Sequence, residues 1–127
     1  MSFEWVVQEK IFAALDGVIS VPVYDIAPQK TAFPYVTIGE ALASENGTDT
    51  TINQLVSFTI NVWSNEDSSK QTKQIQGEVF DALHLIRFSE TGYLFTENYF
   101  LTSQTFFDVD GITRHGVQEF KLTIERV

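Results

Sequence analysis

The sequence predicts an α+β fold in which a mainly antiparallel sheet carries two helices on one face. Two segments have apolar residues at helical spacing, and five others have the alternation or apolar content of strands. Asn-Gly and Asp-Gly dipeptides lie between neighbouring strand segments, as they do in β-hairpins. The elements follow one another as α-β-β-β-α-β-β. Because the chain has 127 residues, we expect a single domain spanning residues 1–127.

The first helix is predicted near the N-terminus by apolar residues that recur every three or four positions. These positions are Val7, Ile11, Ala14 or Leu15, and Val18. Ser2 has a side chain that suits the N-cap, and Asp16-Gly17 supplies the end of the helix. We therefore expect a helix that begins after Ser2 and lays its apolar stripe on the sheet.

A second, amphipathic helix is predicted in the middle of the chain. Its apolar stripe is formed by Ile75, Val79, Leu83 and Ile86. Lysines, glutamines and acids fall mostly off this stripe, so the opposite face is expected to meet water. Asp67 or Ser68 is the predicted N-cap. His84, near the end of the helix, is expected to pack half-buried among apolar neighbours.

Five strands complete the predicted sheet. They cover Val21–Ala27, Pro34–Glu40, Leu55–Trp63, residues 96–109 and residues 116–127. The third of them alternates apolar and polar side chains most cleanly, which predicts one buried face and one wet face. Asn46-Gly47 and Asp110-Gly111 are the expected hairpin turns. Polar residues on both sides of Asn46-Gly47 predict a long, polar hairpin tip.

The composition excludes several functional classes. The chain has no cysteine, so disulfides, thiolate nucleophiles and cysteine-based zinc sites are excluded. Seventeen acidic and eight basic residues give a net charge of −9. This charge disfavours binding of nucleic acid but is compatible with nucleic acid that passes the protein without binding. The sequence predicts neither a membrane span nor a signal peptide. The chain has no glycine-rich phosphate loop, and His84 and His115 lie far apart in sequence, so we expect neither a cofactor nor a metal.

Two patterns in the last third of the chain invite a chemical interpretation. Asp108–Gly111 resembles the opening of a calcium loop, with Glu119 at the twelfth position. The intervening residues supply no further carboxylates at ligand positions, so a hairpin turn is favoured over a calcium site. His115 is a candidate catalytic base if Ser103 or Thr105 lies beside it, but nothing in the sequence fixes that geometry, and the adjacent Arg114 is a poor partner for a base. We therefore favour a non-catalytic role for His115.

Two features indicate contact with other proteins. Phe106 and Phe107 are adjacent in a strand and point to opposite faces, so one of them is expected at the surface unless the first helix covers the second face. The polar hairpin tip is the other feature. Its Asn46-Gly47-Thr48 also fits the pattern of a glycosylation acceptor, but we favour the interpretation as a hairpin turn. The candidate interface residues are Ser44, Glu45, Asn46, Gly47, Thr48, Asp49, Thr50, Thr51, Phe106 and Phe107.

Four stretches of the chain together resemble the tail-completion proteins of long-tailed phages and gene transfer agents, the tail-terminator or tail-to-head joining family. They are VYDIAPQKTAFPYVTIGE at Val23–Glu40, NVWS at Asn61–Ser64, TKQIQGEVFDALHL at Thr72–Leu85 and DVDGITRHGVQEF at Asp108–Phe120. Their order and spacing carry the resemblance, which covers the chain from about residue 5 to residue 125.

The resemblance implies a structural virion protein without enzyme activity. Family members are expected to form a ring, usually a hexamer, at the head-proximal end of the tail tube. Such a ring stops tube growth, binds the tail tube protein and a neck or head connector protein, and leaves a hole through which DNA passes. The resemblance also implies assembly in the host cytoplasm, no membrane partner and no specific binding of nucleic acid.

Several alternatives remain open at this point. The chain is also compatible with another neck protein of related fold, with a regulatory interaction domain, or with a small non-viral ligand-binding domain or enzyme. The stiff junction from Pro28 to Pro34 has two interpretations as well. It either offers a pre-ordered surface to a neighbouring subunit or sets the register of the two strands that it joins.

Overall fold

The computed structural model describes residues 2–47 and 51–127, and it confirms the predicted α+β fold. Its elements in chain order are α1 (Phe3–Leu15), β1 (Val23–Tyr24), β2 (Tyr35–Glu45), β3 (Ile52–Ser64), α2 (Lys70–Leu83), β4 (Tyr93–Phe95), β5 (Tyr99–Phe107) and β6 (Arg114–Arg126). The predicted order of helices and strands is present. β4 is a short additional strand that the sequence patterns did not predict.

The sheet is built around β3 and β6. β1 pairs in parallel with β2, whereas β2 pairs antiparallel with β3, and β3 pairs antiparallel with β6. On the far side of β6, β4 pairs with residues 124–126 and β5 pairs with residues 114–121. β4 and β5 therefore act as one edge strand with a break between them.

Asn98 occupies this break and fastens the edge to the end of α2. Its side-chain Nδ2 donates a hydrogen bond to the carbonyl oxygen of Leu83 over 2.8 Å. Its backbone N–H donates to the carbonyl oxygen of Ile86 over 2.8 Å, and its own carbonyl accepts from the N–H of Leu85 over 2.7 Å. Because these bonds take Asn98 out of the ladder with β6, the strand predicted from residue 96 begins at Tyr99.

Both helices lie on one face of the sheet, as predicted. α1 packs against β1, β2, β3 and α2, whereas α2 also packs against β3, β5 and β6. The inward side chains of the long strands are buried between the layers: Val36, Ile38, Val56, Phe58, Ile60, Val62, Phe120, Leu122 and Ile124. The rings of Phe58 and Phe120 stack in this core with their centroids 5.6 Å apart.

α1 begins at the predicted cap but ends before the predicted stripe does. The Ser2 hydroxyl accepts a hydrogen bond from the backbone N–H of Trp5 over 3.1 Å, which is the N-cap bond. The helix ends at Leu15, and Gly17 then takes a φ of +75° that turns the chain away. The prediction that Val18 belongs to the buried stripe was therefore wrong, because its side chain is exposed.

α2 begins slightly later than predicted. Its N-cap is Ser69, and the Ser68 hydroxyl accepts a hydrogen bond from the N–H of Lys70 over 3.1 Å. The prediction of Asp67 or Ser68 as the N-cap was wrong by one or two residues. Element ends are the least reliable part of a sequence-based prediction, because several polar residues near a helix start can bond its free N–H groups.

The apolar stripe of α2 is buried where the helix is present. Ile75, Val79 and Leu83 are buried, whereas Ile86 lies beyond the helix end and is partly buried. His84 is the C-cap residue and is half-buried, as predicted. Within the described ranges, no helix is both long enough and apolar enough to cross a membrane.

The first three strands differ in extent from their predictions. β2 continues to Glu45 and β3 starts at Ile52, so the hairpin tip is shorter than the polar sequence suggests. β1 contains only two residues instead of the predicted Val21–Ala27. β2 also carries a bulge between Ile38 and Ala41, which locally bends this edge of the sheet.

Candidate functional site

The sheet has a helix face, which carries α1 and α2, and an open face on the opposite side. Aromatic side chains cross the open face from one edge of the sheet to the other. We name this set the aromatic row: Phe33, Tyr35, Trp63, His115 and Phe106. Successive ring centroids along the row are 5.6, 6.4, 3.9 and 4.9 Å apart. Its members come from the residue before Pro34 and from β2, β3, β6 and β5 in turn.

The register of the strands explains why these rings meet. Tyr35 lies opposite Trp63, Trp63 lies opposite His115, and His115 lies opposite Phe106. Side chains that are directly opposite on one face of an antiparallel pair have Cβ atoms about 4.5–5.5 Å apart. Aromatic contacts of this kind contribute about 0.5–1.5 kcal/mol each beyond the area they bury. The row therefore stabilises the register of four strands at once.

The junction between Pro28 and Pro34 delivers the first members of the row. The backbone N–H of Thr31 donates to the Pro28 carbonyl over 3.2 Å, which closes a turn within the junction. The Phe33–Pro34 peptide bond is cis, and Phe33 stacks on Tyr35 immediately after it. The junction thus combines a structural role with the display of an aromatic side chain at the surface.

Two polar atoms of the row pair with neighbouring residues on the same face. Trp63 Nε1 donates to the Thr37 hydroxyl over 3.0 Å, and His115 Nε2 lies 2.8 Å from Asn61 Oδ1. Burial among the rings lowers the pKa of His115, and the charge of Asp108 opposes that effect. His115 therefore serves as a packed aromatic group that is neutral over a wider pH range than a free histidine.

The row is half-buried in its middle and exposed at both ends. Tyr35, Trp63 and His115 are intermediate in exposure, and burial raises the pKa of the Tyr35 phenol. Phe33 and Phe106 leave 37% and 40% of their surfaces exposed. A row of aromatic rings that is exposed at both ends and partly exposed in its middle is typical of a surface that meets another protein.

β5 is exposed along most of its length and contains no charged residue. Phe106 points to the open face, whereas Phe107 points to the helix face, where the Arg114 guanidinium lies 3.8 Å from its ring centre. The prediction that these rings point to opposite faces is confirmed, and both are exposed. The alternative in which α1 covers the second ring was wrong, because α2 is the helix that packs on this part of the sheet.

The two predicted interface regions lie at opposite ends of the sheet. Phe107 pairs with Arg114 at one end, and Glu45 pairs with Gln54 at the other. The hairpin tip and the adjacent phenylalanines therefore do not form one patch. Of the predicted tip, the structure describes Ser44, Glu45, Asn46, Gly47 and Thr51, whereas Thr48, Asp49 and Thr50 lie outside the described residues.

The described part of the tip is tied back to the hairpin. Ser44 and Glu45 belong to β2 rather than to a loop. The N–H of Asn46 donates to the Asn53 carbonyl over 3.1 Å. The N–H of Gly47 donates to the Glu45 carboxylate over 2.7 Å. Asn46 and Gly47 are thus held at the base of the tip by hydrogen bonds to Asn53 in β3 and to Glu45 in β2.

The turn between β5 and β6 is organised by Asp110. Its Oδ1 accepts hydrogen bonds from the N–H groups of Ile112 and Thr113 over 2.8 Å each, and its Oδ2 accepts from the Thr113 hydroxyl over 2.7 Å. The bonds from Thr113, followed by that from Ile112, hold the pKa of Asp110 below its usual value. Gly111 has a φ of +70°, as a hairpin turn requires. The predicted turn is confirmed, and it uses the carboxylate that a calcium loop would need.

The residues considered for catalysis do not converge. Ser103 pairs with Gln118 and Thr105 pairs with Gly116, which places both on the helix face, whereas His115 lies on the open face. A base on one side of a sheet cannot reach a hydroxyl on the other side. Among residues 2–47 and 51–127, no group of three or more His, Asp or Glu side chains is arranged to hold a metal ion.

Sequence reasoning missed most of the aromatic row. Its overlooked members are Phe33, Tyr35, Trp63 and His115. One signal was available in β3, where Trp63 continues the polar phase of Asn61 rather than the apolar phase of Val62. An aromatic residue in the wet phase of a strand is expected on the open face. The alignment of four such residues was not predictable, because it depends on the pairing of strands that are distant in sequence.

These features define an assembly protein of α+β fold whose exposed surface is built for contact rather than for chemistry. Its fold is similar to that of a chain in the virion of a native gene transfer agent (GTA) particle, with a TM-score of 0.86 and 18% identity over 98% of this chain and 99% of that one. It is also similar to bacteriophage SPP1 gp17, with a TM-score of 0.59 and 19% identity over 94% of this chain and 88% of that one.

The chain belongs to the tail completion protein gp17 family, whose model matches residues 9–125. Tail completion protein gp17 of Bacillus phage SPP1 is 25% identical over 92 residues, which cover 72% of this chain and 68% of that protein. The resemblance detected in the sequence is therefore confirmed. The protein is a structural component of a phage-type tail and not an enzyme.

Proposed function

We propose that this protein forms a ring, most simply a hexamer, at the head-proximal end of the tail, where it ends the tail tube and joins it to the head. Membership of the tail completion family over residues 9–125 is the observation that carries this proposal. The tail tube protein would contact one face of the ring, and a neck or head connector protein would contact the other. Assembly would take place in the host cytoplasm, and each copy would contribute one domain spanning residues 1–127.

The exposed features support contacts of two kinds. Phe106 and Phe107 leave 40% and 45% of their surfaces exposed at the edge of the sheet, where a neighbouring copy can bury them. The hairpin tip, from Ser44 to Thr51, is the second predicted contact; its described residues Ser44 and Glu45 lie at the opposite end of the strands, and we assign the tip to a contact with the adjacent copy or with the tube. Separate locations suit separate partners, because one copy in a ring must meet its neighbours and the tube at the same time.

The negative charge of the chain fits a ring through which DNA passes. The net charge is −9, and part of it would line the hole. A duplex carries one negative charge per ~1.7 Å of its axis, so an acidic wall repels it at every point. The duplex would then slide through the ring without binding to it.

Deletion of the gene tests the proposed role in the particle. A terminator ring covers the surface to which the next ring of tube protein would add. Its loss should therefore give filled heads without tails, together with free tails of irregular or excessive length, and electron microscopy of the lysate would display both. Complementation with the intact gene is the matched control and should restore attached tails of normal length.

Other outcomes of the deletion would assign other functions. Free tails of normal length would indicate a neck protein that joins the tail to the head without ending the tube. Complete particles that fail to adsorb would indicate a baseplate or fibre protein. Complete particles with normal heads and attached tails would contradict any role in tail completion.

A further inference from the structure

Two edges of the sheet expose backbone that is paired on one side only. β5 pairs with β6 and with no other strand of the described chain over Tyr99–Phe107. β1 covers only Val36 and Thr37 of β2, so residues 39–45 of β2 face outward beyond it. Each edge therefore offers N–H and C=O groups that a further strand can bind.

β5 lacks the charges that usually protect a free edge. Edge strands of soluble proteins commonly carry lysine, proline or inward-pointing charges, which prevent pairing with other chains. The sequence YFLTSQTFF of β5 contains none of these, and its protection is limited to a bulge between Phe100 and Thr102. Its exposed large side chains are Tyr99, Leu101, Phe106 and Phe107. This composition fits a strand that is covered in the assembled protein.

The free edge of β2 borders a groove of mixed polarity. The groove, of about 680 Å³, lies between this edge, the start of α1 and the segment after β1; Trp5, Ile26 and Ala41 are among its apolar walls, and Glu4, Asp25 and Glu40 are among its acidic ones. A smaller groove of about 270 Å³ adjoins it and adds Phe12. Trp5 leaves 48% of its surface exposed, and Ile26 is exposed as well. A free edge beside pockets for side chains is the arrangement that binds an added strand.

The directions of the strands make the two edges compatible. β2, β3, β6 and β5 are neighbours in the sheet, and each is antiparallel to the one before it. β5 therefore runs opposite to β2. When two copies stand side by side with their strands pointing the same way, β5 of one copy runs antiparallel to β2 of the next.

We propose that β5 of one copy adds to the free edge of β2 in the next copy, so that the sheet continues from subunit to subunit. This inference rests on the proposed ring and specifies its contact. Two chains that each carry −9 repel one another, and an uncharged strand is a surface through which they can approach. The exposed apolar side chains of β5 can pack on Trp5, Phe12 and Ile26 beside β2, and β5 adds no acidic side chain to the carboxylates there. Because the two joined edges differ, the contact is head-to-tail and is satisfied everywhere only when the ring closes.

Cysteine cross-linking in assembled particles tests this pairing. The chain has no cysteine of its own, so an introduced pair reacts without background. Leu42 of β2 and Thr102 of β5 are exposed on the open face, and within one copy β3 and β6 lie between them. Paired strands are about 4.8 Å apart, so a short bis-maleimide reaches between copies but not across two intervening strands. Particles would be assembled with L42C/T102C, with each single variant, and with D81C on α2 as a control.

The expected result is a ladder of cross-linked chains in L42C/T102C that ends at the closed ring, with no cross-linked chains in the three control variants. A second pair, S44C/Y99C on the same strands, should give the same ladder if the first pair disturbs folding. Dimers of T102C alone would mean that two β5 edges meet, and they would overturn the proposal. Absence of a ladder from both pairs would also overturn it. If the gene deletion still gives tails of irregular length, the ring function would stand and only this contact would be wrong.

Discussion

β3 and β5 are both strands without charge, but β3 lies inside the sheet and β5 lies at its edge. β3 has partners on both sides, β2 and β6, and every second side chain from Val56 to Ser64 is buried. β5 has β6 on one side only and is exposed over most of its length. On the buried face of β3 a lack of charge is expected, because a charged side chain there would be taken out of water, whereas its other face is partly exposed.

In β5 the same composition needs a different explanation. An isolated domain gains nothing from keeping Tyr99, Leu101, Phe106 and Phe107 in water, and an unprotected edge invites aggregation. The edge strand has the composition of an interior strand, which is what the proposed contact with a second copy requires. We expect substitutions in β3 to act on folding and substitutions in β5 to act on assembly.

The largest expected difference between the two strands is in their stability contributions. Phe58 of β3 is 1% exposed and stacks on Phe120, so F58A should lower the free energy of unfolding by about 3–5 kcal/mol. F106A in β5 removes a 40% exposed ring and should cost about 0.5–1.5 kcal/mol, the value of an aromatic contact. Urea denaturation followed by circular dichroism would measure both. Equal losses in the two variants would break the comparison.

A matched pair of lysine substitutions sharpens the comparison for assembly. Thr59 of β3 and Thr102 of β5 both pair with Glu119 of β6, one from each side. T59K and T102K therefore place the same charge opposite the same carboxylate, and each should change stability by less than about 1 kcal/mol. T102K should abolish attached tails in complemented lysates, because it puts a charged side chain against Leu42 of the next copy in the proposed contact, whereas T59K should support them. Normal assembly of T102K would count against a role for the β5 edge.

The smallest expected effect concerns His115, which links the two strands through β6. Burial lowers its pKa, so His115 should stay neutral to a lower pH than the ~6.5 of free histidine. In a W5F background, Trp63 fluorescence should fall on acidification with a midpoint below that value, since a protonated imidazole 3.9 Å away quenches indole emission. H115Q should remove the transition, and a midpoint at or above ~6.5 would contradict the predicted shift.

The same shift sets the sign of a pH effect on stability. In the unfolded chain, histidine binds its proton near pH ~6.5, before the folded chain does so. Between that pH and the lower folded pKa, the unfolded state holds more protons, so stability declines as pH falls through this window. Above it, the contribution of His115 is fully present. H115Q should flatten this part of the stability curve.

Local sequence patterns predicted which helices and strands are present better than they predicted where each one begins and ends. The alternation in β3 and the stripe of α2 identified those elements correctly, because each pattern reports on one buried face. Val18 was misplaced because Gly17 ends the helix geometry before the apolar pattern ends. β4 was missed because three residues with one buried side chain give no periodic signal, and the break at Asn98 depends on carbonyl groups of a distant segment.

The candidate site was only partly predictable for the same reason. Phe106 and Phe107 were found because adjacent aromatic residues in a strand must diverge. Trp63 and His115 are 52 positions apart in sequence and meet only through the register of β3 and β6. The free edge of β2 results from the shortness of β1, which the apolar content of Val21–Ala27 concealed. A surface that depends on the order of strands in the sheet cannot be predicted from any single segment of the sequence.

The uncharged edge of β5 also limits how this sequence can drift and how it should be engineered. In a monomeric protein, a lysine at an exposed edge position is close to neutral and improves solubility, so such changes accumulate freely. If β5 forms the proposed contact, selection for solubility and selection for a complete tail act on the same nine residues in opposite directions. A screen for high solubility would then enrich variants that can no longer bind a neighbouring copy.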